Sequence, residues 1–315
     1  MKLIIQIPCY NEETVLQATL EDLPKKIEGV DTIETLIVDD GSTDSTVEVA
    51  RENGANHIVS FTHNRGLARA FAAGIEKCLE LGADIIVNTD ADNQYKGQEI
   101  TRLIRPILQG EADIVVGDRQ TDRIKNFSSV KKLLQKIGSA LVRRLSNARI
   151  ADTVSGFRAY SRESAMHINI LSEFSYTIEN LIQLGIGKFR IVSVPIGTNV
   201  TLRKSRLHKG NVHFVLSQLR TIIRSYAMYK ALKVFTYAGL VFLLPGLFLG
   251  LRFVYYFIFQ PSRATGHIQS LIFAAVLIIV AFILFMLGIV ADLISDNRKL
   301  IEEVLFYRRK ENWMK

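Results

Sequence analysis

The chain has 315 residues, of which 48% are hydrophobic, with a formal net charge of +8 and a mean hydropathy of +0.18. Its two cysteines, Cys9 and Cys78, are too few for a disulfide framework and lack the spacing of a metal site. The basic residues cluster beside two apolar runs near the C-terminus, so attraction to anionic lipid headgroups explains the charge more simply than binding to nucleic acid does. Composition therefore excludes a disulfide-rich secreted domain and gives no support to a nucleic-acid partner.

The first part of the chain alternates short apolar runs with helical patterns, which predicts an α/β domain with a mostly parallel sheet. Thr43 or Ser42 is expected to cap the second helix, and Gly54 is expected just past its end. The opening apolar run is too short for a signal peptide, so this domain is expected in the cytosol. The predicted strands are residues 3–7, 35–38, 57–60, 85–88 and 114–116, and the predicted helices are residues 12–23, 43–53, 65–81 and 97–108.

Two later runs, residues 234–251 and 268–291, contain no charged residue. Each is near the ~20 residues that cross a bilayer, and soluble helices rarely stay apolar on every face for this long. Basic residues precede the first run and follow the second, so the positive-inside rule places both termini in the cytoplasm of a cell-membrane protein. The predicted organisation is an α/β domain (1–206), a juxtamembrane amphipathic helix (207–231), transmembrane helices (232–259 and 268–292) and a basic cytoplasmic tail (293–315).

Polar clusters follow three of the predicted strands, at residues 8–13, 39–42 and 89–94. In an open parallel sheet, ligands bind in the crevice beyond the carboxyl ends of the strands, where these clusters should meet. One acidic turn is usually a solvated cap, but three that converge indicate a site. Within the third cluster, Asp90 and Asp92 can share a hard cation such as Mg²⁺ or Mn²⁺, which would neutralise charge on a diphosphate.

Together these clusters resemble the signature of family 2 glycosyltransferases of the GT-A fold, which is a Rossmann-like nucleotide-diphospho-sugar transferase domain. Within that family the chain is similar to the polyprenyl-phosphate glycosyltransferases, such as dolichyl-phosphate mannose synthases and bacterial undecaprenyl-phosphate glucosyltransferases. The resemblance covers roughly residues 3–206 and does not specify the sugar. The segments that carry it are residues 8–13, 38–44, 64–66, 90–94, 117–119 and 152–158.

The resemblance implies a nucleotide-sugar pocket at these turns. Pro8, Tyr10 and Glu12 would line the nucleotide pocket. Asp40 would contact the base, with Asp39 nearby.

It also implies a metal site that uses Mg²⁺ or Mn²⁺. Asp90 and Asp92 would hold the ribose and the metal, Gln94 would lie close to the metal, and Asp92 would take part in catalysis. Arg119 would face phosphate, since a guanidinium suits that group. The alternative for Arg119 is a surface ion pair with Asp118 or Asp122.

The acceptor side leaves alternatives open. Asp152 is implied as a catalytic residue that acts as a base or orients the acceptor, although a phosphate acceptor is already anionic and needs little help from a base. The structural alternative is that Asp152 caps the turn before residues 155–156. Glu179 either lies near the acceptor or is a carboxylate on a helix face.

A basic loop precedes the membrane-proximal region and contains Arg203, Lys204 and Arg206. These charges suit the phosphate of a lipid acceptor or the departing diphosphate, and the alternative is general attraction to headgroups. The expected partners are thus a nucleotide-sugar donor, a polyprenyl-phosphate acceptor and the membrane, with a homo-oligomer left open.

The sequence therefore predicts inverting, metal-dependent transfer of a UDP- or GDP-linked hexose to polyprenyl phosphate. A glycosyltransferase with another lipid or glycan acceptor, and a non-catalytic membrane scaffold, are the alternatives. A processive synthase usually carries a Gln-x-x-Arg-Trp motif, but the only tryptophan, Trp313, follows Glu311 and Asn312. A dinucleotide oxidoreductase is disfavoured because no Gly-x-Gly-x-x-Gly follows the first strand.

Overall fold

A computed structural model describes residues 1–120, 150, 152–170, 176–199, 230–260 and 268–313. The chain divides into two compact units, one of residues 1–223 and 302–315 and the other of residues 224–301. The described strands are β1 (Lys2–Cys9), β2 (Thr32–Asp39), β3 (His57–Ser60), β4 (Ile85–Asn88), β5 (Ile114–Asp118), β6 (Arg158–Ser161) and β7 (Ile191–Pro195). The helices of the first unit include α1 (Leu16–Asp22), α2 (Thr46–Glu52), α3 (Leu67–Glu80), α4 (Glu99–Leu108), α5 (Arg162–Met166) and α6 (Tyr176–Ile186).

The seven strands form one sheet in the order β3-β2-β1-β4-β6-β5-β7. All pairs are parallel except those of β6, which runs antiparallel to both β4 and β5. The prediction of a mostly parallel α/β sheet is confirmed. All five predicted strands are present, and several extend further than predicted.

The sheet is covered on both faces. Residues 3–9 of β1 are buried without exception, as expected of a central strand between two helical layers. Alternate residues point to opposite faces, so Leu3 and Ile5 pack in one core cluster and Ile4 packs in the other. This burial fixes the register of β1 and so the position of the turn that follows it.

The predicted cap of α2 is wrong. The helix begins at Thr46, and the residue before it, Ser45, makes no capping side-chain bond. The Asp44 carboxylate accepts from the Thr46 amide at 3.1 Å instead, while the Ser42 hydroxyl accepts from the Asn11 amide at 2.9 Å. The Ser42 hydroxyl therefore bonds the turn after β1 instead of capping α2. Gly54 does lie just past the helix, with φ at 79°.

The second unit contains α7 (Ala231–Phe259) and residues 268–301 of α8 (Ile268–Trp313), and both helices are long and apolar enough to cross a membrane. Small residues lie buried at seven-residue spacing along α8, which is the repeat expected where two helices pack at a shallow angle. A Cβ at Gly239 of α7 would lie 2.4 Å from the ring of Phe285, so the contact requires glycine. The buried small residues of α8 are Ala274, Ala281, Gly288 and Ser295.

The segment predicted as a basic tail is helical, because α8 continues to Trp313. Its last residues, 302–313, pack within the first unit. Phe306 stacks on His167 with ring centroids 4.0 Å apart, and Arg309 donates to the carbonyls of Met166 and Ile168 at 2.7 and 2.9 Å. The unit that carries the sheet therefore includes both the N-terminal part and the end of the chain. The predicted amphipathic helix falls at residues outside the described ones, apart from residues 230 and 231.

Candidate active site

The polar turns after β1, β2 and β4 meet at one edge of the sheet. Cys9 pairs with Asp39, so β1 and β2 end at the same level, and Asn88 at the end of β4 pairs with Gln6, three residues before the end of β1. The amide of Asp40 donates to the carbonyl of Cys9 at 2.8 Å and joins the first two turns. The strand order reverses between β1 and β4, and that position opens the crevice in which α/β sheets bind ligands.

Asp39 and Asp40 are almost fully buried, and each holds a turn of backbone. The Asp40 carboxylate accepts from the amides of Arg65 and Gly66 at 2.7 and 2.9 Å. Asp39 accepts from the amide of Ser42 at 3.0 Å. Asp40, which was predicted to contact the base, and the neighbouring Asp39 therefore fix the backbone of the turns beside the crevice.

The turn after β1 presents one open aromatic surface. Pro8 is buried at the end of the strand, whereas Tyr10 is 42% exposed, so its ring is available to a planar ligand. Asn11 has φ at 54°, a left-handed conformation that asparagine tolerates and that turns the chain sharply towards Glu12. The predicted pocket residues are thus placed on this turn, next to the crevice.

Asp90 has an unusual electrostatic environment. Burial, together with the negative charge of the neighbouring Asp92, raises the pKa of Asp90 to about 7 against the opposing charges of Arg119 and Arg158. A Cβ on Gly156 would lie 2.8 Å from Asp90 Oδ1, so glycine is what lets the chain pass this carboxylate. Two nearby carboxylates, one of them poorly solvated, favour a bound cation.

The donor atoms at this turn fit a hard divalent ion. Among the described residues no group of three or more His, Cys, Asp or Glu side chains could hold a metal. Asp90, Asp92 and the side-chain carbonyl of Gln94 can each offer oxygen ligands, and Asp92 Oδ1 accepts from the backbone amide of Gln94 at 3.1 Å. Mg²⁺ binds through one or two carboxylates together with substrate phosphates and water, and a set of this size meets that need.

Arg119 and Asp152 form a bidentate ion pair. Arg119 Nε lies 2.7 Å from Asp152 Oδ2, and Nη2 lies 3.1 Å from Oδ1. Asp152 Oδ1 also accepts from the amides of residues 154 and 155, so the turn cap predicted as the structural alternative is present. Arg119 therefore pairs with a carboxylate 33 residues away and not with Asp118. Its Nη1 reaches Gln94 Oε1 at 3.4 Å, which links the pair to the turn at residues 90–94.

The arrangement of these turns matches a known family. The model of the family described as Glycosyl transferase family 2 matches residues 4–168, which is more than half of the chain. The chain belongs to glycosyltransferase family 2. It is therefore an enzyme, and its sheet carries the GT-A fold that the sequence predicted.

Relatives of this glycosyltransferase include enzymes named for polyprenyl-phosphate acceptors. It is 29% identical to UDP-N-acetylglucosamine–dolichyl-phosphate N-acetylglucosaminyltransferase from Methanococcus voltae, over 72% of this chain and 88% of that one. It is 30% identical to undecaprenyl-phosphate mannosyltransferase from Micrococcus luteus, over 62% of this chain and 83% of that one. The predicted resemblance to the polyprenyl-phosphate branch is confirmed.

Solved structures agree on the fold. Glucosyl-3-phosphoglycerate synthase from Mycobacterium tuberculosis, in a complex with Mn²⁺, UDP and glucosyl-3-phosphoglycerate, superposes with a TM-score of 0.53. The two chains are 22% identical, and the match covers 72% of this glycosyltransferase and 78% of the synthase. At this identity the likeness shows the shared fold alone.

Buried polar residues to which the sequence assigned no role lie beside the candidate site of this glycosyltransferase. Arg158 and Asn88 are fully buried on the paired strands β6 and β4, next to the turn that carries Asp152. Arg158 lies in the motif at residues 152–158, and that motif was the one sign in the sequence that Arg158 belongs near the site. Glu179 lies on α6 and is fully buried, so its carboxylate is on a buried face of that helix. The basic loop with Arg203, Lys204 and Arg206 lies outside the described residues.

Proposed function

We propose that this glycosyltransferase moves a hexose from a UDP- or GDP-linked donor to a polyprenyl phosphate at the cytoplasmic face of the membrane. The observation that carries the proposal is one chain that joins a GT-A crevice with paired aspartates to two apolar helices. A soluble acceptor would need no such helices. The names of the relatives support the same acceptor class, because both name a dolichyl or undecaprenyl phosphate.

The donor side of the crevice would bind the nucleotide. Tyr10 offers an exposed ring on which a base can stack, and Asp39 and Asp40 lie beneath the adjoining turn. Asp90 and Asp92, with Gln94, would hold Mg²⁺ or Mn²⁺. Such an ion would stabilise the negative charge that develops on the nucleoside diphosphate as it leaves.

On the acceptor side, the enzyme would need to orient the acceptor phosphate more than to remove a proton from it. A phosphate oxygen attacks the anomeric carbon, the bond from that carbon to the diphosphate breaks, and the configuration inverts. The attacking oxygen already carries negative charge. Four donors engage the Asp152 carboxylate, two of them from Arg119, which supports a role in holding Arg119 towards phosphate. Arg203, Lys204 and Arg206 would add positive charge for the lipid phosphate or the leaving diphosphate.

The test is direct assay of the full chain in nanodiscs that contain undecaprenyl or dolichyl phosphate. Labelled UDP-glucose, UDP-N-acetylglucosamine and GDP-mannose are supplied in turn, with Mg²⁺, with Mn²⁺ or with EDTA. We expect at least one donor to label the extracted lipid, with inverted anomeric configuration by NMR. Transfer should be lost in EDTA and in Asp92→Asn, and should persist in Asp31→Asn, which changes an exposed aspartate.

Labelling of diacylglycerol or of a glycan, with polyprenyl phosphate never labelled, would refute the proposed acceptor. Full turnover by a metal-stripped sample would refute the proposed metal. Neither outcome would alter the family or the fold.

A further inference from the structure

A buried guanidinium lies directly beneath the turn that carries Asp152. Arg158 is 0% exposed. It donates to three backbone carbonyls: Nε to Ser155 at 2.8 Å, Nη1 to Thr177 at 2.7 Å and Nη2 to Thr153 at 3.0 Å. One side chain on β6 thus joins the turn at residues 153–155 to the first turn of α6.

A second buried side chain completes this support. Asn88 pairs with Arg158 across β4 and β6, and paired residues present their side chains on the same face. Asn88 Nδ2 donates to the carbonyl of Gly156 at 2.8 Å and lies 3.0 Å from the Tyr176 hydroxyl. The carbonyls of the turn are therefore held from below, by Arg158 and Asn88.

The same turn is held from above by the acceptor-side carboxylate. The amides of residues 154 and 155 donate to Asp152, whose other bonds go to Arg119. A shift of this turn would move Asp152 and, with it, the guanidinium of Arg119. Three linked contacts thus run from Arg158 through the turn to the mouth of the crevice.

Arg158 both stabilises this turn and fixes its geometry. Its loss would leave three buried carbonyls without this donor, which is destabilising. The planar fork of arginine also fixes several acceptors in one geometry, which lysine cannot do. We propose that Arg158 is a positioning residue that sets the orientation of the Asp152–Arg119 pair for transfer. Only the kinetic consequence of this role, an effect on transfer to polyprenyl phosphate, rests on the proposed function.

The first measurement is hydrogen–deuterium exchange of the full chain, and it is independent of the acceptor. In Arg158→Lys the amides of residues 154 and 155 should exchange faster, while those of β1 and β2 keep their protection. Arg190→Lys is the matched control, because Arg190 also donates to a carbonyl, that of Gly110, on an exposed edge away from the site. It should leave both the exchange and the activity unchanged.

The second measurement is a double-mutant cycle on transfer to polyprenyl phosphate. Arg158→Lys should lower kcat roughly 10- to 100-fold, as a misplaced site residue does. Donor affinity, by calorimetry, should stay within about twofold of the parent. In an Asp152→Asn background the same change should have little further effect, because residues that act as a unit are non-additive.

Additive losses in the cycle, or unchanged exchange at residues 154 and 155, would overturn the proposal. Arg158→Gln is made alongside Arg158→Lys. If only one of the two variants folds, both the exchange measurement and the double-mutant cycle are done with that variant. If neither folds, Arg158 is a folding determinant and the proposal fails. Faster exchange in Arg158→Lys together with a parent chain that never glycosylates polyprenyl phosphate would refute the proposed acceptor while upholding the position of Arg158.

Discussion

At the scale of single residues, the crevice places ionisable groups where charge is poorly solvated. Asp90 is the extreme case, because burial and Asp92 raise its pKa to about 7 from the ordinary 3.8. A tenfold change in proton affinity corresponds to about 1.4 kcal/mol, so keeping Asp90 ionised costs the folded domain roughly 4 kcal/mol. Strongly raised carboxyl pKa values of this kind cluster at functional sites.

This cost predicts a pH dependence of stability in the absence of metal. Between about pH 4 and pH 7 the unfolded chain gives up the Asp90 proton and the folded chain keeps it, so stability falls as pH rises. Asp90→Asn should therefore raise the Tm in EDTA by up to about 10 °C at pH 8, with a gain that shrinks towards pH 4. Mn²⁺ should raise the Tm of the parent chain but not that of Asp90→Asn. The measurement is differential scanning fluorimetry across this pH range.

Asp31→Asn is the control for that comparison. Asp31 is exposed, and its bond to the N-terminal ammonium lowers its pKa, so its loss should give no gain at pH 8. Equal Tm values for Asp90→Asn and the parent at pH 8 in EDTA would show that ionised Asp90 does not destabilise the folded domain.

At the scale of elements, regular patterns predicted structure and irregular ones did not. The strands at residues 57–60 and 85–88 match the predicted bounds, because each is a short β-rich run closed by polar residues. Strand β6 was not singled out. Its residues read Arg-Ala-Tyr-Ser, and the first of these is a buried cation that no hydrophobic pattern can indicate.

The site residues that follow regular strands could likewise be predicted, and those whose contacts depend on tertiary structure could not. Turns after predicted strands could be placed together from the sheet topology alone, and Asp39, Asp40 and Asp90 do lie at one edge. The pairing of Arg119 with Asp152 could not be read from the sequence, because 33 residues separate them and their contact depends on how β5 and β6 pair. Likewise the Ser42 hydroxyl accepts from the amide of Asn11 in the neighbouring turn, which local propensity does not describe.

One irregular segment leads to a prediction. After β7, Asn199 donates from its amide nitrogen Nδ2 to the carbonyl and Oδ1 of Asn93, at 3.1 and 3.2 Å. Asn93 has φ at 52°, so these bonds brace a left-handed residue between Asp92 and Gln94. Asn199→Ala should loosen this turn and weaken binding of UDP or GDP with Mn²⁺ roughly fivefold, or about 1 kcal/mol. The measurement is isothermal titration calorimetry.

Asn53→Ala provides the matched comparison. Asn53 donates to the carbonyl of Val49 at the end of α2. It should leave nucleotide affinity unchanged. Equal losses in the two variants would mean that the bond from Asn199 has no specific effect on the turn at residues 90–94.

At the scale of the whole molecule, two features bear on membrane topology independently. Two apolar helices that both cross the membrane would return the chain to the side from which it entered. Residues 302–313 pack within the same unit as the sheet, and Arg309 bonds both Glu76 and the carbonyls after α5. If the chain crossed the membrane three times or once, residues 302–313 would lie on the opposite side from the residues that they contact. The positive-inside rule, applied to the basic flanks, predicts that the shared side is the cytoplasm.

That topology can be tested with cysteine labelling in intact cells. The native Cys9 and Cys78 are buried, and burial raises the pKa of both thiols, so their background reaction should be small. Ser262→Cys, in the short connection between the two helices, should react with an impermeant maleimide added outside. Glu311→Cys, on an exposed position of α8, should react only after the cells are opened, because the docked end of α8 must share the compartment of the sheet. Reaction of Glu311→Cys from outside, with Ser262→Cys protected, would invert the orientation. Reaction of both from outside would contradict two crossings, and with them the docking of Arg309 on the catalytic unit.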